Sequence, residues 1–479
     1  MGFLWRTSAF FMIAAAITLF IGGCRQLDAA AQSTPISPSA VSLAQENETI
    51  TPAITATILP QMAVPPTPTE IPSTTTPPTP NPALFLEGTL PSCGQLLPIL
   101  SAYDDPLVET LEPDPQAVTL LKERVPEEAL PALERILERP ETVGLAAYRV
   151  GEEAQGVYLN ASVPMPLASV VKVIHLVAYA EAVSDGRLDP TSTVMLDELE
   201  AFYLPNIDLG AHARAVTELE DNGRVFGNPP AVLLDEVPGM MISQSSNAAT
   251  DYLHLLLGQR ELEETAVALG LESQTAPCPF LGQFLIMANH AIKQDNPYQS
   301  WEGYMNDPAS YGRDAMLLTE AFSSDEQFRE TAVDWRRQTR QPNGQTQRLF
   351  SQNFNAQGSA ADYANLMARI AQNGLSGGDS SYTARRFLEW PMRFAANQAL
   401  FSNLGYKNGS LPGILTTVYY AYPKGGGAPI VVALFYRDLE GRTYRQWRDN
   451  LAHDELARWM LYDPEAIPAL WAVLSEPNS

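Results

Sequence analysis

The stretch Leu167-Ala-Ser-Val-Val-Lys-Val-Ile-His-Leu-Val-Ala-Tyr-Ala180 constrains this chain more than any other. Val170, Val171, Val173, Ile174, Leu176, Val177, Ala178 and Ala180 leave it no polar face. The helix it predicts therefore belongs inside a domain, not on its surface. Ser169 and Lys172 are three residues apart, on one side of the first turn. Desolvation in so apolar a run disfavours the charged form of the lysine. A neutral amine beside a serine hydroxyl is a base next to a nucleophile. Pro166 places Ser169 at or near the helix N-terminus, where orphan N–H groups and the positive dipole end favour developing negative charge. Ser-x-x-Lys on its own is a weak pattern, and its meaning depends on the rest of the chain.

Residues 1–23 read as a signal peptide, with Arg6 in a short n-region and an apolar run from Ala9 to Ile21. The run is short for a membrane span. Gly22-Gly23-Cys24 follows it and resembles the bacterial lipobox. That resemblance implies cleavage before Cys24, a diacylglycerol on its thiol, and an extracytoplasmic protein anchored to the cell membrane. An uncleaved anchor is the alternative, and it leaves the chain on the same side. Residues 24–83 are rich in Pro, Thr and Ser and bury too little apolar surface to fold. They read as a disordered, extended spacer.

The net charge is -25, from 30 basic and 55 acidic residues, with no basic stripe. That balance argues against nucleic acid as a partner. Cys93 and Cys278 remain once Cys24 is lipidated; they either pair, as exported cysteines do, or stay free and buried. No zinc-type Cys/His spacing is present, and neither a metal nor a cofactor is expected.

Residues 84–125 read as an N-terminal helical extension, with helix expected in two pieces from Asp104 to Arg139. Val143–Val150 and Gly156–Asn160 predict a hairpin ahead of the buried helix, which closes at Asp185-Gly186. Ile414–Tyr422 and Pro429–Tyr436 predict a second hairpin, followed by one amphipathic helix over Thr443–Tyr462. Strands at both ends and helices between them define an α+β domain over 126–465, with an antiparallel sheet, an all-helical lobe and a cleft between them. Residues 289–355 read as an inserted helical segment, and 466–479 as a tail.

The domain resembles the serine β-lactamase and penicillin-binding-protein superfamily, most closely its class A β-lactamase-like branch. Three motifs carry the resemblance. Ser169-Val-Val-Lys172 follows the first hairpin; Ser245-Ser246-Asn247 has Ser where the family has Asp; Lys407-Asn408-Gly409 has Asn in place of Thr and precedes the second hairpin on an expected edge strand. The resemblance implies that Ser169 is acylated, that Lys172 acts as base, and that Ser245 relays a proton to the leaving nitrogen. It implies that Asn247, Lys407, Asn408, Gly409 and Ser410 bind substrate, with the N–H groups of Ser169 and Ser410 as the oxyanion hole.

Class A enzymes also carry a water-activating Glu in a Glu-x-x-Leu-Asn loop, and Glu302-Gly-Tyr-Met-Asn306 is the only near match. With that base, a monomeric enzyme cleaving a β-lactam or related amide is expected. Without it, a long-lived acyl-enzyme implies a D-Ala-D-Ala peptidase-like protein acting on peptidoglycan-type substrates. The substituted motifs also leave open a catalytically silent envelope binding module. The long spacing from Ser169 to Ser245 implies an extra loop near the cleft mouth, within 198–239, with Tyr203 at its rim.

Overall fold

A computed structural model describes Cys93, residues 107–291 and residues 297–474. The expected signal peptide, Cys24 and the Pro/Thr/Ser-rich spacer lie outside the described residues. Nine strands occur among the described residues: β1 (Val143–Arg149), β2 (Val157–Leu159), β3 (Met165–Pro166), β4 (Thr193–Met195), β5 (Ala231–Leu233), β6 (Gln357–Gly358), β7 (Phe401–Leu411), β8 (Ile414–Pro423) and β9 (Ile430–Tyr436). Five form one antiparallel sheet in the order β2-β1-β9-β8-β7. The two hairpins share a sheet as expected, joined through β1 and β9, and β7 is an edge strand.

Side chains alternate across that sheet. Val418, Tyr420, Val431, Ala433 and Phe435 face the core built on the buried helix that follows Ser169. Leu415, Tyr419, Ala421, Val432, Leu434 and Tyr436 face the helices at the two ends of the chain. Every residue of the central strand β9 is buried, because helices cover both of its faces.

The ends of the domain differ from the sequence expectation. Residues 107–114 are not helical; the first helix among the described residues is Pro115–Arg124, started by Asp114 accepting from the Gln116 N–H, and a second α-helix follows at Leu130–Glu138. Leu121 and Val125 belong to the core behind the sheet, so this segment is part of the domain. The expected tail forms a helix over Ala466–Leu474 and buries Leu470, Val473 and Leu474 in the same core. The single helix expected over Thr443–Tyr462 is two, Gly441–Asn450 and Ala452–Tyr462, broken at Leu451 with φ of 59°.

The apolar stretch is a 3₁₀ turn over Ala168–Val171 running into an α-helix, Lys172–Ser184, that is almost wholly buried. It ends before Gly186 at φ 71°, the left-handed stop its sequence predicts. Helices Glu236–Ser243, Asn247–Leu257, Gln259–Ala268 and Ser380–Leu388 surround it. Among its described residues the inserted segment holds four helices, Pro297–Asn306, Pro308–Ser324, Glu326–Gln338 and Gly344–Phe354, over an aromatic core that includes Tyr304, Tyr311, Phe322, Phe350 and Phe354. Cys93 and Cys278 are disulfide-bonded, which settles the alternative left open above. Residues 198–239 supply the helix Ala211–Asp221 and strand β5, which pairs with β4 just before them, and Tyr203 packs its ring 5.0 Å from that of His212.

Candidate active site

The turn bearing Ser169 is held in an unfavourable shape. Ala168 sits at φ 48°, a region that costs a non-glycine residue free energy. Neighbours from two segments hold it there: the Ala168 N–H donates to Asn355 Oδ1 at 2.7 Å, the Leu167 N–H to Ala356 O at 2.9 Å, and Thr416 Oγ1 of β8 to Leu167 O at 2.7 Å. Edge strand β7 passes directly beside it. A Cβ at Gly409 would lie 2.6 Å from Leu167 O and 2.7 Å from Ser169 N, so only glycine permits this approach. Ser169 itself is half-buried, with its backbone N–H beside Gly409 of β7.

Lys172 is fully buried and reaches the loop before the Asn247–Leu257 helix. Its Nζ donates to Ser245 O at 2.7 Å and Asn247 Oδ1 at 2.8 Å, with Ser245 Oγ at 3.3 Å and Ser246 O at 3.5 Å. Burial drives its pKa well below the ordinary lysine value, and the positive charge of Lys407 pushes the same way; Asp251 and Asp208 oppose them. A neutral amine has two N–H groups. They match the two short partners and leave its lone pair free to accept a proton.

Lys407 comes from the opposite wall, on β7. It donates to Ser245 Oγ at 3.1 Å and Asn408 O at 2.8 Å. Burial lowers its pKa to about 7, while Asp454 behind the strand pulls it upward. Ser245 therefore holds a hydroxyl between two amines, from a backbone at φ 66°. Among the described residues, no carboxylate hydrogen-bonds to either amine.

Ser246 stands where the family has Asp, and its role is structural. It caps the Asn247–Leu257 helix by accepting from the Ala249 N–H at 3.1 Å, and it meets His212 Nδ1 at 2.9 Å. His212 Nε2 lies 3.3 Å from Glu200 Oε1, without the alignment of a hydrogen bond.

The structure brings Lys172, Ser245, Asn247 and Lys407 together through direct hydrogen bonds, and it sets Gly409 against the Ser169 turn. Asn408 and Ser410 share a strand parity with Tyr406, away from Lys407. The Ser410 hydroxyl meets Tyr444 OH at 2.9 Å, and Tyr406 OH donates to Asp454 at 2.8 Å. Ser410 can then serve the groove through its backbone, whereas the expected side-chain role of Asn408 is not supported. Glu302 is not brought to the cluster. It is exposed on the Pro297–Asn306 helix, which packs against the other inserted helices, and makes no hydrogen bond or ion pair with the described residues of the site.

Sequence reasoning missed several neighbours. Asn355 and Thr416 hold the serine turn, and Asp454 sits behind Lys407. Asp251 and Phe280 lie beside Lys172, with the Phe280 ring centroid 4.7 Å from Nζ. His175 hides in the apolar helix, paired with His254 Nδ1 at 3.1 Å. None of these contacts has a local pattern to announce it.

A groove lined by Ser-x-x-Lys, Ser-x-Asn and Lys-x-Gly between an antiparallel sheet and a helical lobe defines a class, the β-lactamase and transpeptidase-like serine hydrolases. Residues 127–458 match the model of the Beta-lactamase enzyme family, and the chain belongs to that family. Among solved structures it is similar to the β-lactamase from Sphaerobacter thermophilus DSM 20745, at 16% identity over 67% of this chain and 93% of that one, TM-score 0.39. It is also similar to PBP-A, at 15% identity over 73% and 98%, TM-score 0.39. A third is the β-lactamase from Desulfarculus baarsii DSM 2075, at 14% identity over 72% and 97%, TM-score 0.41. Likenesses this distant add nothing to the functional reading. No curated protein matches the chain.

Proposed function

We propose that the chain is an exported, lipid-anchored serine hydrolase that opens a β-lactam or a related amide by acylation of Ser169. One observation carries this reading: two buried lysines from opposite walls converge on the Ser245 hydroxyl at 3.3 and 3.1 Å. Ser169 Oγ attacks the amide carbonyl carbon and gives its proton to neutral Lys172. The C–N bond breaks as Ser245 passes a proton to the departing nitrogen. Protonated Lys407 attracts the substrate carboxylate. The Asn247 amide N–H groups, left free because Lys172 engages the oxygen, hold the substrate's side-chain amide. Charge on the carbonyl oxygen is met by the Ser169 and Ser410 N–H groups.

A second reading, a D-Ala-D-Ala peptidase-like protein that β-lactams trap, is favoured by a separate observation. The acceptors around Lys172 Nζ are all neutral, and the one motif-matched glutamate is exposed at a distance from them. Hydrolysis of the acyl-enzyme then lacks a carboxylate base. Intact-mass measurement of the full-length chain with a penicillin, alongside a chromogenic cephalosporin, tests both readings. Colour development supports the hydrolase, and a lasting adduct lost in Ser169→Ala supports the trapped peptidase. Absence of any adduct, with these drugs or with acyl-D-Ala-D-Ala esters, overturns both in favour of a silent binding module.

A further inference from the structure

The Ser245 hydroxyl bridges two walls, and the bridge holds only at one spacing. It meets Lys407 Nζ of β7 at 3.1 Å, and such a bond fails once the gap passes about 3.5 Å. Ser245 also sits at φ 66°, a backbone shape that costs free energy and relaxes when released. A tie close to it must therefore hold both the spacing and the shape.

Glu218, on the helix Ala211–Asp221, touches both walls. Its Oε2 accepts from Gln244 Nε2 at 2.5 Å, and Gln244 is the residue just before Ser245. Its Oε1 accepts from Arg393 Nη1 at 2.7 Å. Arg393 closes the turn Trp390–Arg393, with its guanidinium 5.0 Å from the ring centroids of Trp390 and Phe394. That turn is fixed to the sheet. Glu389, just before it, accepts from Asn403 Nδ2 of β7 at 2.8 Å and from Tyr420 OH of β8 at 2.9 Å. The Trp390 ring lies 5.8 Å from that of Tyr406, the neighbour of Lys407. One carboxylate thus ties the residue before Ser245 to a turn seated on the strand that carries Lys407. With side chains 34% and 44% exposed, Glu218 and Arg393 add little to stability, so the effect of the tie falls on alignment.

We propose that Glu218 is a positioning residue for Ser245, tying the loop that carries it to the Trp390–Arg393 turn and so fixing the span that the Ser245 hydroxyl bridges to Lys407. This rests on the acylation of Ser169 proposed above and adds what aligns the group that passes a proton to the leaving nitrogen.

The test is the rate of adduct formation at saturating penicillin on the full-length chain, followed by stopped-flow intact mass. Glu218→Ala and Arg393→Ala should each slow it by up to about a hundredfold, the cost of misplacing a reacting group by an ångström. Their combination should be no slower than either alone, because the same tie is cut in all three. The reciprocal pair, Glu218→Arg with Arg393→Glu, should recover most of the rate, since the Gln244 amide can turn its oxygen to the new guanidinium. The alkaline limb of the rate is the reading that a role in stability alone would not move. Burial lowers the Lys407 pKa to about 7, and a loosened groove admits water to the amine, so the limb should shift to higher pH in Glu218→Ala. Arg393→Ala decides the matter if Glu218→Ala fails to fold by circular dichroism; failure of both makes the pair a strut and overturns the proposal. Wild-type rates and an unmoved limb in the folded variants also overturn it, and leave Ser169 acylation intact. A wild type that forms no adduct instead overturns the acylation reading, and this inference with it.

Discussion

The candidate groove around Lys172 and Lys407 and the inserted helical segment follow different rules. In the insert, local chemistry and structure agree. Asp325 caps its helix by accepting from the Phe328 N–H at 3.1 Å, and Asn343 does so from Thr346 at 2.9 Å. Pro308 occupies a first-turn position, and Arg337 pairs with Asp334 in the open at 3.1 Å. In the groove, local preference is overruled. Ala168 and Ser245 hold positive φ, two lysines are buried without a bonded carboxylate, and a glycine is squeezed against the backbone beside Ser169. Packing from several elements enforces that arrangement, and residues strained in this way cluster where chemistry is done. Mutations should therefore separate the two regions: activity should fall in the groove with little loss of stability, and stability should fall in the insert with no loss of activity, except at Asn355, which ends the insert and holds the Ser169 turn.

The largest effect is expected at Lys172. Lys172→Met keeps the length and apolar packing of the side chain but removes the base. Acylation by a penicillin should fall by about 10²–10⁴-fold, the range for loss of general-base catalysis. Stopped-flow mass or fluorescence measurement checks the rate, and a thermal melt checks the fold. A melting temperature at or above wild type sharpens the contrast, because methionine carries no amine into the core. A collapse in stability with a modest rate effect would make Lys172 a strut and break it.

Lys407 should show itself in the pH profile. Its ammonium is the form that attracts a carboxylate, and its pKa near 7 means that this form disappears as pH rises through neutrality. The second-order acylation rate should therefore have an alkaline limb near pH 7, and Lys407→Arg should move that limb upward, since guanidinium does not deprotonate in proteins. Stability should run the other way. Between about pH 7 and 10.5 the unfolded lysine binds a proton that the folded one has released, so folding strengthens as pH rises. Lys407→Met should flatten that part of the curve in denaturant titrations.

The disulfide joins the two regions, since Cys278 leads into Phe280 and Cys93 lies in the core of the insert. Replacing both cysteines with serine should cost about 2–4 kcal/mol, as for a bridge closing a long loop. Urea titration measures it. A loss confined to stability places the bridge with the insert's rules; an accompanying change in adduct lifetime places it with the groove.

Much of this was legible in the sequence, for reasons that differ by element. The hairpins showed because β8 and β9 are runs of β-branched and aromatic residues around a glycine turn. The buried helix showed because no polar face interrupts it, and Ser169, Lys172, Ser245, Asn247 and Lys407 stood out through motifs, of which hydrogen bonds join the last four. What stayed hidden depends on contacts between distant segments. Asp251 accepts from Phe280, and Ala168 donates to Asn355 across 187 positions of chain. The break at Leu451 has no glycine or proline to signal it, and the helix at Ala466–Leu474 is short enough to pass for a tail. Glu302 misled because a short motif match says nothing about which face of a helix the residue takes.

The smallest effects are expected in the insert, and they test the contrast from its other side. Asn343→Ala removes the acceptor for the Thr346 N–H, so stability should drop by about 1 kcal/mol, as for other helix caps. Acylation of Ser169 should be unchanged, because the Gly344–Phe354 helix keeps its buried Phe350 and Phe354 anchors. Glu302→Gln should change neither stability nor adduct lifetime by more than about twofold, since an exposed carboxylate without an ion pair stabilises little. Its lifetime measurement is the sharper of the two. A slower release of the acyl group in Glu302→Gln would mean that the insert swings its glutamate into the groove during the reaction, and the two regions would then share one function instead of dividing structure from chemistry.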